Sequence, residues 1–145
     1  MRESDTVIAL LGGSRALGGT PRTDRDFVEL VRRGLPFASV GAAARKLGVS
    51  DEEALGWAGL PRRTMARRKA QGDRLKSGES ERLLRLARAA ALAIEVLGDE
   101  TRAVEWLRNP NRGLGGEAPV NLLDTDVGTG AVLDELLRLE YGVFS

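Results

Sequence analysis

From Leu83 to Leu97 the apolar side chains Leu83, Leu86/Ala87, Ala90, Ile94 and Leu97 recur in steps of three and four. That spacing is the period of one face of an α-helix. The opposite pattern, apolar and polar residues alternating for long enough to build a strand, is almost missing from the chain. The expected fold class is therefore all-α, with its longest helix from about Gly78 to Leu97. Arg82, Arg85 and Arg88 fall outside the apolar stripe of that helix.

The remaining helices are marked by their ends. Thr23 can cap a helix from Asp24 to Arg33 that carries Phe27, Leu30 and Val31 on one face, and Gly34 stops it. Pro36 begins a short segment reaching about Leu47. Ser50 then precedes Asp51, Glu52 and Glu53, acids suited to the positive end of a helix dipole. In that helix Ala54, Leu55 and Ala58 face inward. Gly59 and Leu60 form a turn, and Pro61 can open the next helix, which runs to about Gln71. Asp99 caps a helix through Arg108 anchored by Val104, Trp106 and Leu107. The stretch "NPNRGLGGEAP" reads as a loop, with a turn of helix after Pro119 covering Val120, Leu122 and Leu123. Thr125 or Asp126 caps the last helix, with Val132/Leu133, Leu136/Leu137 and Leu139 in it and Gly142 as its stop. Residues 1–21, with Gly in "LGG" (11–13) and "LGGT" (17–20), read as a flexible arm or short strand.

Composition narrows the chemistry. The 145 residues contain no Cys and no His. Disulfides, thiolate chemistry, His–Cys zinc sites and imidazole-based catalysis are thereby excluded. Capping accounts for Asp124 and Asp126 better than a carboxylate catalyst does, and "GLGG" (113–116) follows a helix where a dinucleotide-binding loop would need a strand. No catalytic residue, metal site or cofactor is expected. "VIALL" is too short and acidic in context for a signal peptide, and "AAALAIEVL" falls below the ~20 residues of a membrane span. The expected location is the cytoplasm, without membrane contact.

The net charge of +1 conceals two opposed regions. Residues 61–88 hold ten Lys/Arg against three acids, whereas residues 99–145 hold nine acids against four basic residues. Opposite signs at the two ends suggest two partners. The two short helices about Gly59 form a helix-turn-helix candidate. Its second helix presents Arg62, Arg63, Arg67, Arg68 and Lys69 for phosphates, with Thr64 short enough to reach a base edge. Met65 packs inward, while Leu55 is larger than the small residue common at its position. The alternative for this basic face is a solvated surface on a structural helix. At the other end, Val143 and Phe144 follow the Gly142 stop and lie beyond the helix's buried stripe. They either fold back on the domain or insert into a partner, where buried aromatic residues anchor interfaces.

Several blocks in order, "RTMARR", "SERLLRLAR", "AVEWLRNPN", "LGGEAP", "LLDTDVG" and "EYGVFS", resemble the Xre/MbcA/ParS antitoxin family from about Leu60 to Ser145. The upstream helices resemble the Xre-type helix-turn-helix of that family. The resemblance implies an N-terminal Xre-like helix-turn-helix bundle (22–76, after an arm at 1–21) followed by a small helical toxin-binding domain (77–145). It implies a type II antitoxin that is not an enzyme. Its partners would be a cognate RES-domain toxin, which consumes NAD, and operator DNA for autoregulation, as a homodimer and as a hetero-oligomer with the toxin. Occlusion of the toxin's active site would fall on Tyr141, Gly142, Val143, Phe144 and Ser145, with Arg138 and Glu140 beside them. DNA contact would fall on Thr64, Arg67 and Arg68, with Arg62, Arg63 and Lys69 on the same helix. The competing reading is a stand-alone helix-turn-helix regulator whose C-terminal part only dimerises.

Overall fold

The computed structural model describes residues 3–142, and among these it contains helices and no strand. Nine α-helices follow in order: α1 Glu3–Leu10, α2 Ser14–Leu17, α3 Asp24–Arg33, α4 Ala38–Leu47, α5 Asp51–Ala58, α6 Arg62–Gln71, α7 Ser77–Leu97, α8 Glu100–Arg108 and α9 Asp126–Glu140. Two 3-10 turns, Arg112–Leu114 and Pro119–Leu122, interrupt the long connection between α8 and α9.

The starts of these helices follow the side chains placed before them. The hydroxyls of Thr23, Ser50 and Thr125 and the carboxylate of Asp99 each accept a hydrogen bond from a backbone N–H in the first turn of α3, α5, α9 and α8. In α3 the cap is reciprocal. Asp26 accepts from the backbone N–H groups of Arg22 (2.9 Å) and Thr23 (3.2 Å), which holds its carboxyl below the usual range. Asp126, expected as a possible cap, leaves that task to Thr125 and turns its carboxylate to Arg85 at 3.1 Å.

Helix α7 is the axis of the molecule. Helices α1, α3, α5, α8 and α9 all pack on it. Its consecutive residues Ala89–Ala93 are buried, and so are Leu83, Leu84, Leu86 and Ala87. A helix apolar all round belongs inside a core, and small side chains let neighbours approach from several directions at once. One hydrophobic cluster runs from Val7 through α7 to Leu136, so a single core serves both ends of the chain. Leu86 is fully buried, and replacing it by Ala is expected to cost about 2–5 kcal/mol, read as a lower urea midpoint at unchanged slope.

Residues 3–21 are not an arm. Helices α1 and α2 bury Val7, Ile8, Leu10, Leu11 and Leu17, and the Ser39 hydroxyl in α4 donates to the Leu11 carbonyl at 2.6 Å inside the core. The glycines at 12 and 13 form the tight turn between these two helices. They set the direction of the chain where slack was expected.

A second seam ties α3 and α4 to the connection before α7. Leu75 donates its N–H to the Leu35 carbonyl (3.0 Å), Leu35 donates to the Ser80 hydroxyl (2.8 Å), and Arg74 Nε donates to the Gly34 carbonyl (2.8 Å). Gly34 has φ +94°, and a Cβ there would sit 2.3 Å from the Leu75 carbonyl oxygen, so only glycine fits this seam.

Candidate nucleic-acid and partner interfaces

The helix-turn-helix is built by α5 and α6 around Gly59. Leu55 and Met65, 9% and 4% exposed, both point into the core, so the larger residue at 55 is accommodated without moving α6 outward. With Met65 inward, the opposite face of α6 exposes Arg62, Arg63, Arg67 and Lys69, while Thr64 is half-buried. Arg62 pairs with Glu52 of α5 at 3.3 Å, both side chains largely in solvent. Among the described residues Arg63, Arg67 and Lys69 take part in no ion pair, and their charges face outward.

Arg68 is placed differently. Its guanidinium, with the side chain 12% exposed, forms an ion pair with Glu79 in the first turn of α7, and Glu79 also accepts the backbone N–H of Lys76 at 2.8 Å. Arg68 is thus a tether between α6 and α7, turned away from the outward face on which it was expected. The same holds for much of the basic surplus of residues 61–88. Arg74 bonds the Gly34 carbonyl, Arg82 donates to the Gly59 carbonyl at 3.2 Å, and Arg85 pairs with Asp126. Arg88 lies over the Phe27 ring at 5.6 Å. With Arg62, six of the ten cations bind a neighbouring element. The outward field comes mainly from α6.

At the far end, α9 closes on Tyr141, and Gly142 follows with φ +64°. Tyr141 is 73% exposed, Leu137 is partly exposed, and Glu140 and Gly142 lie at the surface. Arg138 pairs with Glu135 one turn earlier at 3.3 Å. Val143, Phe144 and Ser145, the rest of the expected toxin-binding segment, lie outside the described residues. The "GLGG" loop passes close to α9: a Cβ on Gly113 would meet the carboxylate end of Glu135, which would have to swing aside to admit it.

One arrangement escaped the sequence reading. Arg108, the last residue of α8, forms two hydrogen bonds to Glu53 of α5 (3.1 and 3.0 Å) and lies over the Trp57 ring at 5.7 Å. Lys46 of α4 pairs with Glu100 of α8 at 3.2 Å. Glu100's own backbone N–H, with this lysine, holds the carboxyl of Glu100 below the usual range. Helices α4 and α5 are thus each fastened to α8 by an ion pair. The i,i+4 spacing of Glu53 and Trp57 was visible in the sequence, but the arginine that completes the clasp is 55 residues away.

Among the described residues no group of three or more acids could hold a metal ion, and no helix is long and apolar enough to cross a membrane. Two family models match the chain, and the gap between them falls inside α7. Residues 26–88 match an antitoxin Xre-like helix-turn-helix domain, and residues 92–142 match an antitoxin Xre/MbcA/ParS C-terminal toxin-binding domain. The chain is 33% identical over 119 residues to an antitoxin Xre of Yersinia enterocolitica, covering 81% of this chain and 80% of the relative. It is 30% identical over 117 residues to an antitoxin Xre of Photorhabdus laumondii, covering 80% and 79%. It is 26% identical over 129 residues to a protein of a Sphingobium species named Prs ADP-ribosylating antitoxin, covering 83% and 81%.

Proposed function

The chain belongs to the antitoxin Xre family, with a helix-turn-helix and a toxin-binding domain, and from that premise we propose that it neutralises a cognate RES-domain toxin by plugging the toxin's NAD-consuming active site. The plug is the segment Tyr141–Ser145, with Arg138 and Glu140 orienting it. The observation that carries this reading is Tyr141, a large aromatic side chain held in solvent at the end of a rigid helix. An exposed aromatic on a firm support loses little entropy on insertion and anchors an interface well. The relative named for Prs ADP-ribosylation favours a toxin that uses NAD, since ADP-ribosyl groups come from it.

The same chain binds its own operator through α6, in the cytoplasm, as a homodimer and in a hetero-oligomer with the toxin. Residues 22–76 carry the DNA contacts and residues 77–145 the toxin contacts. No residue is assigned a catalytic role.

Two measurements test the two halves. Truncation before Tyr141 removes the exposed Tyr141 and Gly142 and no residue of the described core, so the shortened chain is expected to stay folded but to let a co-expressed toxin deplete NAD. Full neutralisation by that truncated chain would remove the tail from the mechanism, and failure of the whole chain to bind the product of the neighbouring gene would favour a stand-alone regulator. For DNA, log K is expected to fall linearly with log salt, and the double substitution R63A/R67A to flatten the slope by about 1.8, near 0.9 for each phosphate no longer neutralised. An unchanged slope would put the DNA face elsewhere.

A further inference from the structure

An open groove of about 550 Å³ runs between α3, α7 and α9, floored by Phe27, Val31, Leu84 and Leu133. Its outer wall is α3, where Val28 is 45% exposed. Asp24, Val28 and Arg32 follow one another at i, i+4 and i+8 and so form one row along that wall. Among the described residues neither Asp24 nor Arg32 takes part in an ion pair, although nearby cations do: Arg25 faces Glu29 at 3.9 Å, and Arg85 faces Asp126. The row is acid, valine, arginine, with the valine in the middle.

Resting on the homodimer of the proposed function, we propose the face that joins its two copies: α3 packs antiparallel to its counterpart across a two-fold axis at Val28. With a rise of about 1.5 Å per residue, Asp24 and Arg32 each lie about 6 Å from Val28 along the helix. An antiparallel pair therefore sets Asp24 beside the partner subunit's Arg32 and Arg32 beside the partner subunit's Asp24. Two ion pairs form at once and the two valines meet at the centre. A parallel pair would place like charges together. A patch that complements itself under two-fold rotation is what an isologous dimer requires, and a single row satisfies it here. Across the groove, Gly130 of α9 opens onto unfilled space where a partner side chain can enter. Pairing here leaves the outward face of α6 and the Tyr141 end of α9 uncovered by these contacts, and it holds whether or not the chain binds DNA.

The full-length chain is expected to run at twice its 15.6 kDa mass in light scattering. R32D sets acid against acid and is expected to give a monomer, and the charge swap D24R/R32D restores both pairs and the dimer. Because the swapped charges oppose the dipole of α3, circular dichroism melting accompanies each variant to show that it is folded. The absence of Cys adds a second reading: V28C can form a disulfide only between copies, and is expected to cross-link under mild oxidant far faster than T101C on exposed α8. A wild-type chain that stays monomeric would overturn the homodimer and this face together, and loss of its toxin binding in R32D would then give the groove to the toxin. A dimer indifferent to R32D, or equal cross-linking at 28 and 101, would overturn this face alone.

Discussion

A chain lacking residues 1–17 is expected not to fold. Those residues place Val7, Ile8, Leu10, Leu11 and Leu17 in the core, none more than 7% exposed. Burying one such side chain contributes about 1.5–3 kcal/mol, so five contribute on the order of 10 kcal/mol, comparable to the whole stability of a small protein. Their loss would also strip water-excluding cover from α7, on whose surface α1 lies, and leave the Ser39 hydroxyl without the Leu11 carbonyl. The truncated chain should show no cooperative melting transition by circular dichroism. A transition within a few degrees of the full chain would instead make α1 and α2 mere additions. Both family matches begin after this segment, so a fragment cut to their limits would omit part of the core.

The substitution R68A is expected to destabilise the protein by about 3 kcal/mol, the lower end of what breaking one side of a buried ion pair costs. Arg68 and Glu79 are 12% and 14% exposed, so removing the guanidinium leaves a carboxylate with little water to replace it. Glu79 keeps the Lys76 N–H, which limits the loss. R67A, one residue earlier on the exposed face, should change stability by less than about 0.5 kcal/mol. Urea melts of R68A, E79A and the double variant would give a coupling energy for the pair, and a value near zero would refute the tether. The distinction also governs DNA-binding experiments. A variant that changes Arg67 and Arg68 together would confuse unfolding with weakened phosphate binding, whereas Arg63 and Arg67 report on DNA alone.

The contrast between these two arginines shows how far the sequence could be read. Helix starts were visible because a capping side chain acts on backbone groups two or three residues away, as Thr23, Ser50, Asp99 and Thr125 do. The two faces of α6 were harder. Met65 fixed the inward side, but Arg68 is drawn to α7 by Glu79, eleven positions on, and periodicity is silent on such a contact. The clasp of Arg108 on Glu53 and Trp57 was hidden for the same reason over a longer span. At the start of the chain the glycines misled. Read as slack, they turn out to mark a tight corner between two buried helices. The end of α9 near Gly142 was legible as a local stop signal, whereas Val143 and Phe144, the residues that signal set apart, lie beyond the described chain.

The shared helix α7 has a consequence for how such a molecule can be disarmed. Its residues belong to the cover of both ends, and among the described residues the buried side chains they join form one continuous cluster. A protease that clips the backbone anywhere along it would not release a surviving half: the helix-turn-helix and the toxin-binding domain would be lost in the same event.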